Sequence, residues 1–461
     1  MNLSSNAMTS GERRAVATLA GLFSLRMIGL FMIMPVFAIM GQTLTGSSPQ
    51  LIGLAIGIYA WAQSVLQIPL GLLADRMDRK RLIIQGLALF AIGGAVAACS
   101  TSIWGVILGR FIQGAGAISG VVMALLADLT REEQRTKAMA GIGMSIGLSF
   151  GAAFVIGPWL AGHFGLHGLF WSTVVFGIIG MAVTQWVVPT PVISVRHTPS
   201  SYWHQLRDSV RHPELLRLNW GIFSLHVVLT ACFQLLPILL LKNGHLLPAQ
   251  HGWIYLPVLL GSFVCAVPAI IIAEKYRRMK SVFVFSIAVL ALGMVSLALF
   301  HDSLAGIVTG MSIFFIGFNM LEALLPSLVS KISPAGGKGA AMGIYSSSQF
   351  FGAGLGGICG GWLLQHQLDP TTFFAILAVA IFIWLAVAAT MAPPPFLNSV
   401  LLNFGNIASA EAPELAARLR AVTGVEDVVV LVEEGVAYLK VDKLRLDQGA
   451  LAAFPATAVA A

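Results

Sequence analysis

Four ionisable side chains, Arg26, Arg110, His226 and Glu322, lie inside long apolar runs, where elementary electrostatics disfavours them. A charge at the centre of a bilayer costs about 2.5–3.5 kcal/mol on insertion scales, so each should face water or a partner. Glu322 is the only acid well inside an apolar segment. A carboxyl whose surroundings alternate between apolar and cationic takes up and releases a proton, which is the chemistry of proton coupling. Equally, Glu322 sits nearer one end of its run and could simply reach water or cap a neighbouring helix. His226 on its own reads first as a core histidine with its hydrogen bonds met. Gln63, Gln67, Gln113, Gln234, Asn319 and Gln349 are further polar groups at depth, fit to line a cavity or to bond between helices. Met32, Met34, Trp61, Phe233, Tyr345 and Phe350 would give such a cavity an apolar wall, or merely pack. No catalytic triad, metal constellation or phosphate-binding G-x-x-x-x-G-K-[ST] loop emerges, so neither an enzyme nor a cofactor is expected. Cys99, Cys232, Cys265 and Cys359 stand apart from one another and from histidine, as small core hydrophobes do.

The elements that carry these residues must be membrane helices. Of 461 residues 57% are hydrophobic and 10% charged, against about 25% charged in ordinary soluble domains. Twelve runs approach or exceed the roughly 20 residues that cross a bilayer: 15–41, 51–74, 82–100, 103–127, 138–160, 168–188, 218–241, 252–273, 281–300, 304–328, 339–364 and 371–391. The first is too long for a cleavable signal and contains Arg26. With alternating loops, one side collects Arg13 and Arg14, Arg76–Arg81, Arg131–Lys137, Arg196–Arg217, Lys275–Lys280, Lys331 and Lys338, and the other only Lys242. By the positive-inside rule both termini are cytoplasmic, and a bacterial-type inner membrane is the expected location. The formal charge of +7 is then a topology signal matched to anionic lipid, with no nucleic-acid partner.

The chain repeats itself. LADRMDRKR (73–81) at the end of the second run corresponds to IAEKYRRMK (272–280) at the end of the eighth, and TKAMAGIGMS (136–145) to GAAMGIYSS (339–347). Parallel repeats of six spans build a known transporter architecture. The expected organisation is a six-helix bundle over 1–190, a cytoplasmic linker over 191–217, a second bundle over 218–392, a Pro-rich linker over 393–399 and a soluble domain over 400–461. That last stretch carries five basic and eight acidic residues. A strand at 400–404, a helix at 411–421, a hairpin over 425–442 and a second helix over 444–454 predict a small α+β ferredoxin-like domain. Its acidity should draw it to the basic face beneath the bundles, beside the 189–217 connection. Its exposed strand edge would otherwise suit self-association.

Three motifs carry a family resemblance. GLLADRMDRKR (71–81) resembles the signature between spans two and three of the major facilitator superfamily, with Asp78 where Gly is usual. LGRFIQGAGA (108–117) resembles its span-four motif, and AFVIGPWLAG (153–162) the span-five motif of its antiporter branch, keeping Gly157, Pro158 and Gly162. The whole chain resembles proton-driven efflux members that bear a small C-terminal cytoplasmic domain. The resemblance implies alternating access between the bundles, a cavity lined by spans one, four, seven and ten (the spans of Arg26, Arg110, His226 and Glu322), and protons and a small amphipathic molecule as partners. It also implies a conformational switch at Gly71, Asp75, Arg76, Arg79 and Asp128. Within that cluster Asp75 ends a helix at its negative pole and needs a compensating partner; Asp128 is under the same constraint and is placed to meet Arg76. The Arg79–Arg81 trio reads more simply as a solvated loop. Gly157-Pro158 either loosens a helix at the contact between halves or only kinks it. Symport, facilitated uptake and a sensor built on a transporter fold remain alternative functions.

Overall fold

The computed structural model describes residues 8–74, 77–190, 206–334, 337–394, 397–404, 408, 410–432, 435–442, 445–454 and 457–459. Its helices are α1 (Ser10–Phe31), α2 (Met34–Met40), α3 (Pro49–Ala74), α4 (Arg79–Cys99), α5 (Ile103–Ala115), α6 (Ser119–Leu129) and α7 (Glu132–Trp186). They continue as α8 (Pro213–Lys242), α9 (His251–Lys275), α10 (Met279–Phe300), α11 (Leu304–Ile332), α12 (Lys338–Gln365) and α13 (Pro370–Ala389). Together they make twelve crossings in two bundles. Spans five and six share α7 and part at Gly165, whose φ of 66° only glycine adopts readily.

Two spans are broken at mid-depth. Span one is interrupted between α1 and α2, because Pro35 has no N–H to give the Phe31 carbonyl. Span four is interrupted at Gly116–Ile118, after the glycine-rich run that ends α5. A Cβ at Gly116 would stand 2.2 Å from the Gly86 carbonyl of α4, so the break is pressed against its neighbour.

The bundles meet mainly through small residues, as membrane helices do when no hydrophobic effect separates protein from lipid. α12 lies between α3 of the first bundle and α8 of its own. A Cβ on Gly57 would meet the Gly354 carbonyl at 2.3 Å, and one on Gly53 the Gly357 carbonyl at 2.2 Å. Gly162 at the far end of span five faces Ala249, just before α9. These contacts lie toward the end opposite the basic loops. Nearer the basic end, a Cβ on Gly143, Gly147 or Gly151 of α7 would meet nothing within 4 Å.

The tail folds as β1 (Asn398–Asn403), α14 (Ala412–Arg420), β2 (Val425–Leu431), β3 (Val436–Val441), α15 (Gln448–Ala452) and β4 (Thr457–Val459). Its antiparallel sheet has the order β2-β3-β1-β4, the ferredoxin-like arrangement. Leu402, Leu419, Val428, Leu439 and Val441 form its core. The second helix is shorter than the 444–454 stretch suggested, because Asp447 accepts from the Ala450 amide at 2.9 Å and starts the helix there. The domain also touches the second bundle. Lys440 Nζ donates to the Ser330 carbonyl at 3.0 Å, and Arg277 lies 3.5 Å from Asp442. The described contacts thus fall under α9–α11, whereas the sequence suggested the 189–217 connection, of which 191–205 lie outside the described residues.

Two outcomes follow from this packing. Gly57→Ala places a methyl against a backbone carbonyl that cannot rotate away, and overpacking of this kind costs about 1–3 kcal/mol. The thermal unfolding midpoint of the variant should fall by several degrees, while Gly71→Ala, whose Cβ would meet nothing, should leave it unchanged. The Lys440 ammonium is depressed from 10.5 to about 8 by burial and by the charge of Lys338, with Asp427 acting the other way. Lys338 belongs to the bundle, so the docked domain holds that proton less tightly than the undocked one. Docking therefore strengthens as pH rises through about 8 and is weakest below it. Energy transfer between dyes on the tail and on α10 should increase from pH 7 to pH 9.5; a decrease would contradict this coupling.

Candidate functional site

A cavity of about 120 Å³ opens at the depth where spans one and four are broken. Phe23, Met27, Leu30, Phe31 and Met34 reach it from span one, Ile56 and Ala60 from α3, and Arg110 and Ser119 from either side of the span-four break. Ile146 comes from α7, His226, Leu229 and Thr230 from α8, and Ser346, Gln349, Phe350 and Ala353 from α12. One wall is therefore apolar, and the polar groups are few and spaced.

The two arginines are almost wholly buried and are held by neutral groups. Arg26 Nη1 donates to Ser119 Oγ at 3.0 Å and its Nη2 to Gln63 Oε1 at 2.9 Å. Arg110 donates to Gln113 Oε1 at 3.1 Å and to the Ala55 carbonyl at 3.4 Å, and its guanidinium lies 4.5 Å from the centre of the Tyr59 ring. Gln113 in turn donates to Thr173 Oγ1 at 2.9 Å, which fixes the amide so that its oxygen faces Arg110. Among the described residues neither arginine has a carboxylate partner.

The second bundle supplies the acid. Glu322 Oε1 stands 3.5 Å from His226 Nε2, with the carboxyl about one-third exposed. Gln349 lies 2.9 Å from the same Nε2, and His226 Nδ1 is 3.2 Å from the Ile222 carbonyl. An imidazole protonated at Nδ1 donates to Ile222 and accepts from the Gln349 amide. The structure thus joins His226, Glu322 and Gln349, three polar groups that the sequence singled out separately. Met34 and Phe350 reach the cavity, while Met32, Phe233 and Tyr345 are buried beyond it and Trp61 stacks on Phe351 at 5.7 Å. Sequence reasoning passed over Ser119, Thr230 and Ser346, small hydroxyls indistinguishable in a linear reading from those that bond back to their own helix. It also passed over Tyr59 as the platform for Arg110.

At the basic end the switch cluster differs from the sequence expectation in one respect. Arg79 is buried: it forms an ion pair with Asp128 at the end of α6 and donates to the Ala74 and Ala124 carbonyls. A solvated-loop reading therefore fails for Arg79 and fits the exposed Arg81. Lys80 donates to the Val188 carbonyl at 2.9 Å. Asp75 and Arg76, the centre of the cluster as read from sequence, lie outside the described residues; Gly71 is on the last turns of α3 with open space at its Cβ. Asp78, in the position usual for Gly, caps α4 by accepting from the Arg81 amide at 3.1 Å. Of the span-five motif, Gly157 packs on the Met32 carbonyl at the break of span one, where a Cβ would come within 2.2 Å. The helix runs through Pro158, and its one non-helical residue is Gly165.

Removing one partner of a buried ion pair leaves an uncompensated charge, at a cost of about 3–5 kcal/mol. Asp128→Asn should lower the unfolding midpoint markedly and Arg81→Gln should not. Equal midpoints for the two variants would deny the Arg79–Asp128 pair a structural role.

The arrangement matches known proteins at each level. The family model of the Major Facilitator Superfamily matches residues 19–318 and 221–402. The chain is 47% identical over 438 residues to the inner membrane transport protein YajR of Escherichia coli (strain K12), covering 94% of this chain and 95% of that protein. It is 26% identical over 343 residues to the multidrug resistance protein MdtH of Yersinia enterocolitica serotype O:8 / biotype 1B, covering 73% and 83%. Among solved structures, the human organic anion transporter MFSD10 (TETRAN) superposes with a TM-score of 0.63 at 17% identity, over 82% of this chain and all of that one. A bacterial homologue of the human lysosomal transporter Spinster, in an inward-facing and occupied conformation, gives 0.65 at 14% identity, over 83% and 97%. Twelve crossings in two repeated bundles around a mid-depth cavity, with these matches, place the chain in the Major Facilitator Superfamily of membrane transporters.

Proposed function

We propose that this protein is a proton-coupled antiporter of the inner membrane that exports a small amphipathic compound by alternating access. The observation that carries the reading is the His226–Glu322–Gln349 triplet, in which His226 and Gln349 line the cavity and Glu322 stands behind them, 3.5 Å from His226. It offers two sites for a single proton, Glu322 Oε1 and His226 Nε2. With the proton on Glu322, the imidazole accepts from the Gln349 amide as described above. With the proton on His226 Nε2, the imidazolium faces an ionised Glu322, and Gln349 must turn its oxygen toward the ring or leave. Gln349 sits on α12, whose glycines form much of the contact with the first bundle. Protonation is thus wired to the interface that must open and close. An equilibrium between two states can be shifted only by a ligand that binds them unequally, and the reading requires this of the proton.

Both termini and the tail lie in the cytoplasm, by the distribution of Lys and Arg. In the inward-facing member of such a cycle the cavity would open at the basic end. Closing it would bring the basic ends of α7 and α9 together, with the Arg79–Asp128 cluster bracing the first bundle. Relatives named for inner membrane transport and for multidrug resistance agree with export of an amphipathic compound. The tail, bound to the second bundle, moves with it and modulates the exchange without carrying substrate.

Glu322→Gln removes the charge change at nearly constant shape. In proteoliposomes with an imposed pH gradient it should abolish gradient-driven flux while leaving substrate binding and substrate exchange intact. A wild-type response to the gradient would take the proton site away from Glu322 and overturn this assignment.

A further inference from the structure

The break in span four has a property that proton coupling does not use. α6 begins at Ser119, in the middle of the membrane, and its first intrahelical bond is from the Val122 amide to the Ile118 carbonyl at 2.9 Å. The amides before it have no acceptor within the helix, and they carry the positive pole of the helix dipole. A Cβ built on Gly120 meets nothing within 4 Å, so this first turn is open on that face. Beside it stands Arg26, 3% exposed, bonded to Ser119 through Nη1 while its Nε is buried and has no acceptor. Ser119 and Arg110 both line the cavity. One buried guanidinium, Arg110, and the helix N-terminus at Ser119 therefore border the chamber, with the second guanidinium, Arg26, bonded directly to Ser119, and no carboxylate lines the chamber from the first bundle among the described residues. Broken helices of secondary transporters aim such half-helix N-termini at anionic groups.

We infer that this is the seat of an anion, and that the transported compounds are organic anions with an apolar body. The inference rests on the export reading above and narrows its substrate class. The head group, a carboxylate or sulfonate, would accept from Arg26 and from the first amides of α6. Its alkyl or aryl body would lie on Phe23, Met27, Leu30 and Ile56. A cationic amphiphile of the same shape would bring like charge to Arg110 and Arg26 and should be excluded.

The test uses the full chain in phosphatidylcholine nanodiscs and two probes of equal chain length, octanoate and octyltrimethylammonium. Octanoate should bind and raise the unfolding midpoint, and octyltrimethylammonium should not. Arg26→Gln should weaken octanoate at least tenfold and Arg26→Lys should recover part of it. Should Arg26→Gln not fold, Gly120→Leu fills the open face without touching the Arg26 bonds and should weaken octanoate similarly. Equal binding of the two probes, or undiminished octanoate affinity in these variants, overturns the inference. So does loss of the octanoate effect when phosphatidylglycerol is added, because the seat then belongs to a lipid headgroup. Flux separates this inference from the reading beneath it. Octanoate that binds through Arg26 but is not driven by a pH gradient removes the antiport and leaves the anion seat. Gradient-driven export of the cation without octanoate binding does the reverse.

Discussion

A guanidinium in the middle of a bilayer has no water to solvate it, and much of the first bundle is arranged to meet that constraint. A buried guanidinium must have its hydration replaced by fixed dipoles. Gln63 and Ser119 do this for Arg26. Gln113, the Ala55 carbonyl and the Tyr59 ring do it for Arg110. Each acceptor is oriented in turn: Gln113 is pinned by Thr173, and Ser119 is held at the start of a helix. Neutral acceptors satisfy geometry without cancelling charge. The cavity consequently retains a positive wall that an ion pair would have erased.

The same constraint gives meaning to the helix breaks. A backbone group freed in hydrocarbon is costly unless protein or a water-filled cavity receives it. Span one breaks where Gly157 packs on the Met32 carbonyl, and span four where Gly116 packs on Gly86. In both places glycine lets another helix close over the irregular backbone. The Gly157-Pro158 motif therefore does less to bend its own helix than to admit the broken one beside it.

Much of this was legible in the sequence, for identifiable reasons. Apolar run length and the side bias of Lys and Arg are written residue by residue, and they yield twelve crossings and a repeat. The ferredoxin-like tail was legible from its alternation and turns, although β4, of three residues, leaves almost no pattern. The break of span four was not legible. GAGAISG (114–120) reads as a packing run, and glycine serves close approach and helix interruption alike. Arg79 was misread because a cation beside a turn in a chain of letters looks solvated; only the fold brings Asp128 to it. His226 and Glu322 were each singled out, but their meeting across α8 and α11 has no sequence periodicity. Gln349 joins them from a third helix.

The two halves repeat in backbone and diverge in charge, and the divergence is informative. At the basic end each half has an ion pair to the end of its fourth span, from the start of the third span in the first half and from the last turn of the second span in the second. Arg79 meets Asp128 in the first half, and Glu274 meets Lys331 at 2.9 Å, with Ser327 at 2.8 Å, in the second. In the repeat Glu274 is the counterpart of Asp75 and Arg79 that of Arg278, so the two ties are made by different members of the motif. At mid-depth no such equivalence survives: the first half carries two arginines, and the second a histidine and a glutamate 3.5 Å apart. Arginines in one half and a carboxyl–imidazole pair in the other are the groups that the proposed coupling to a proton would use. Two identical halves would have offered only one of these groups, and the proton-coupled exchange proposed above would draw on both.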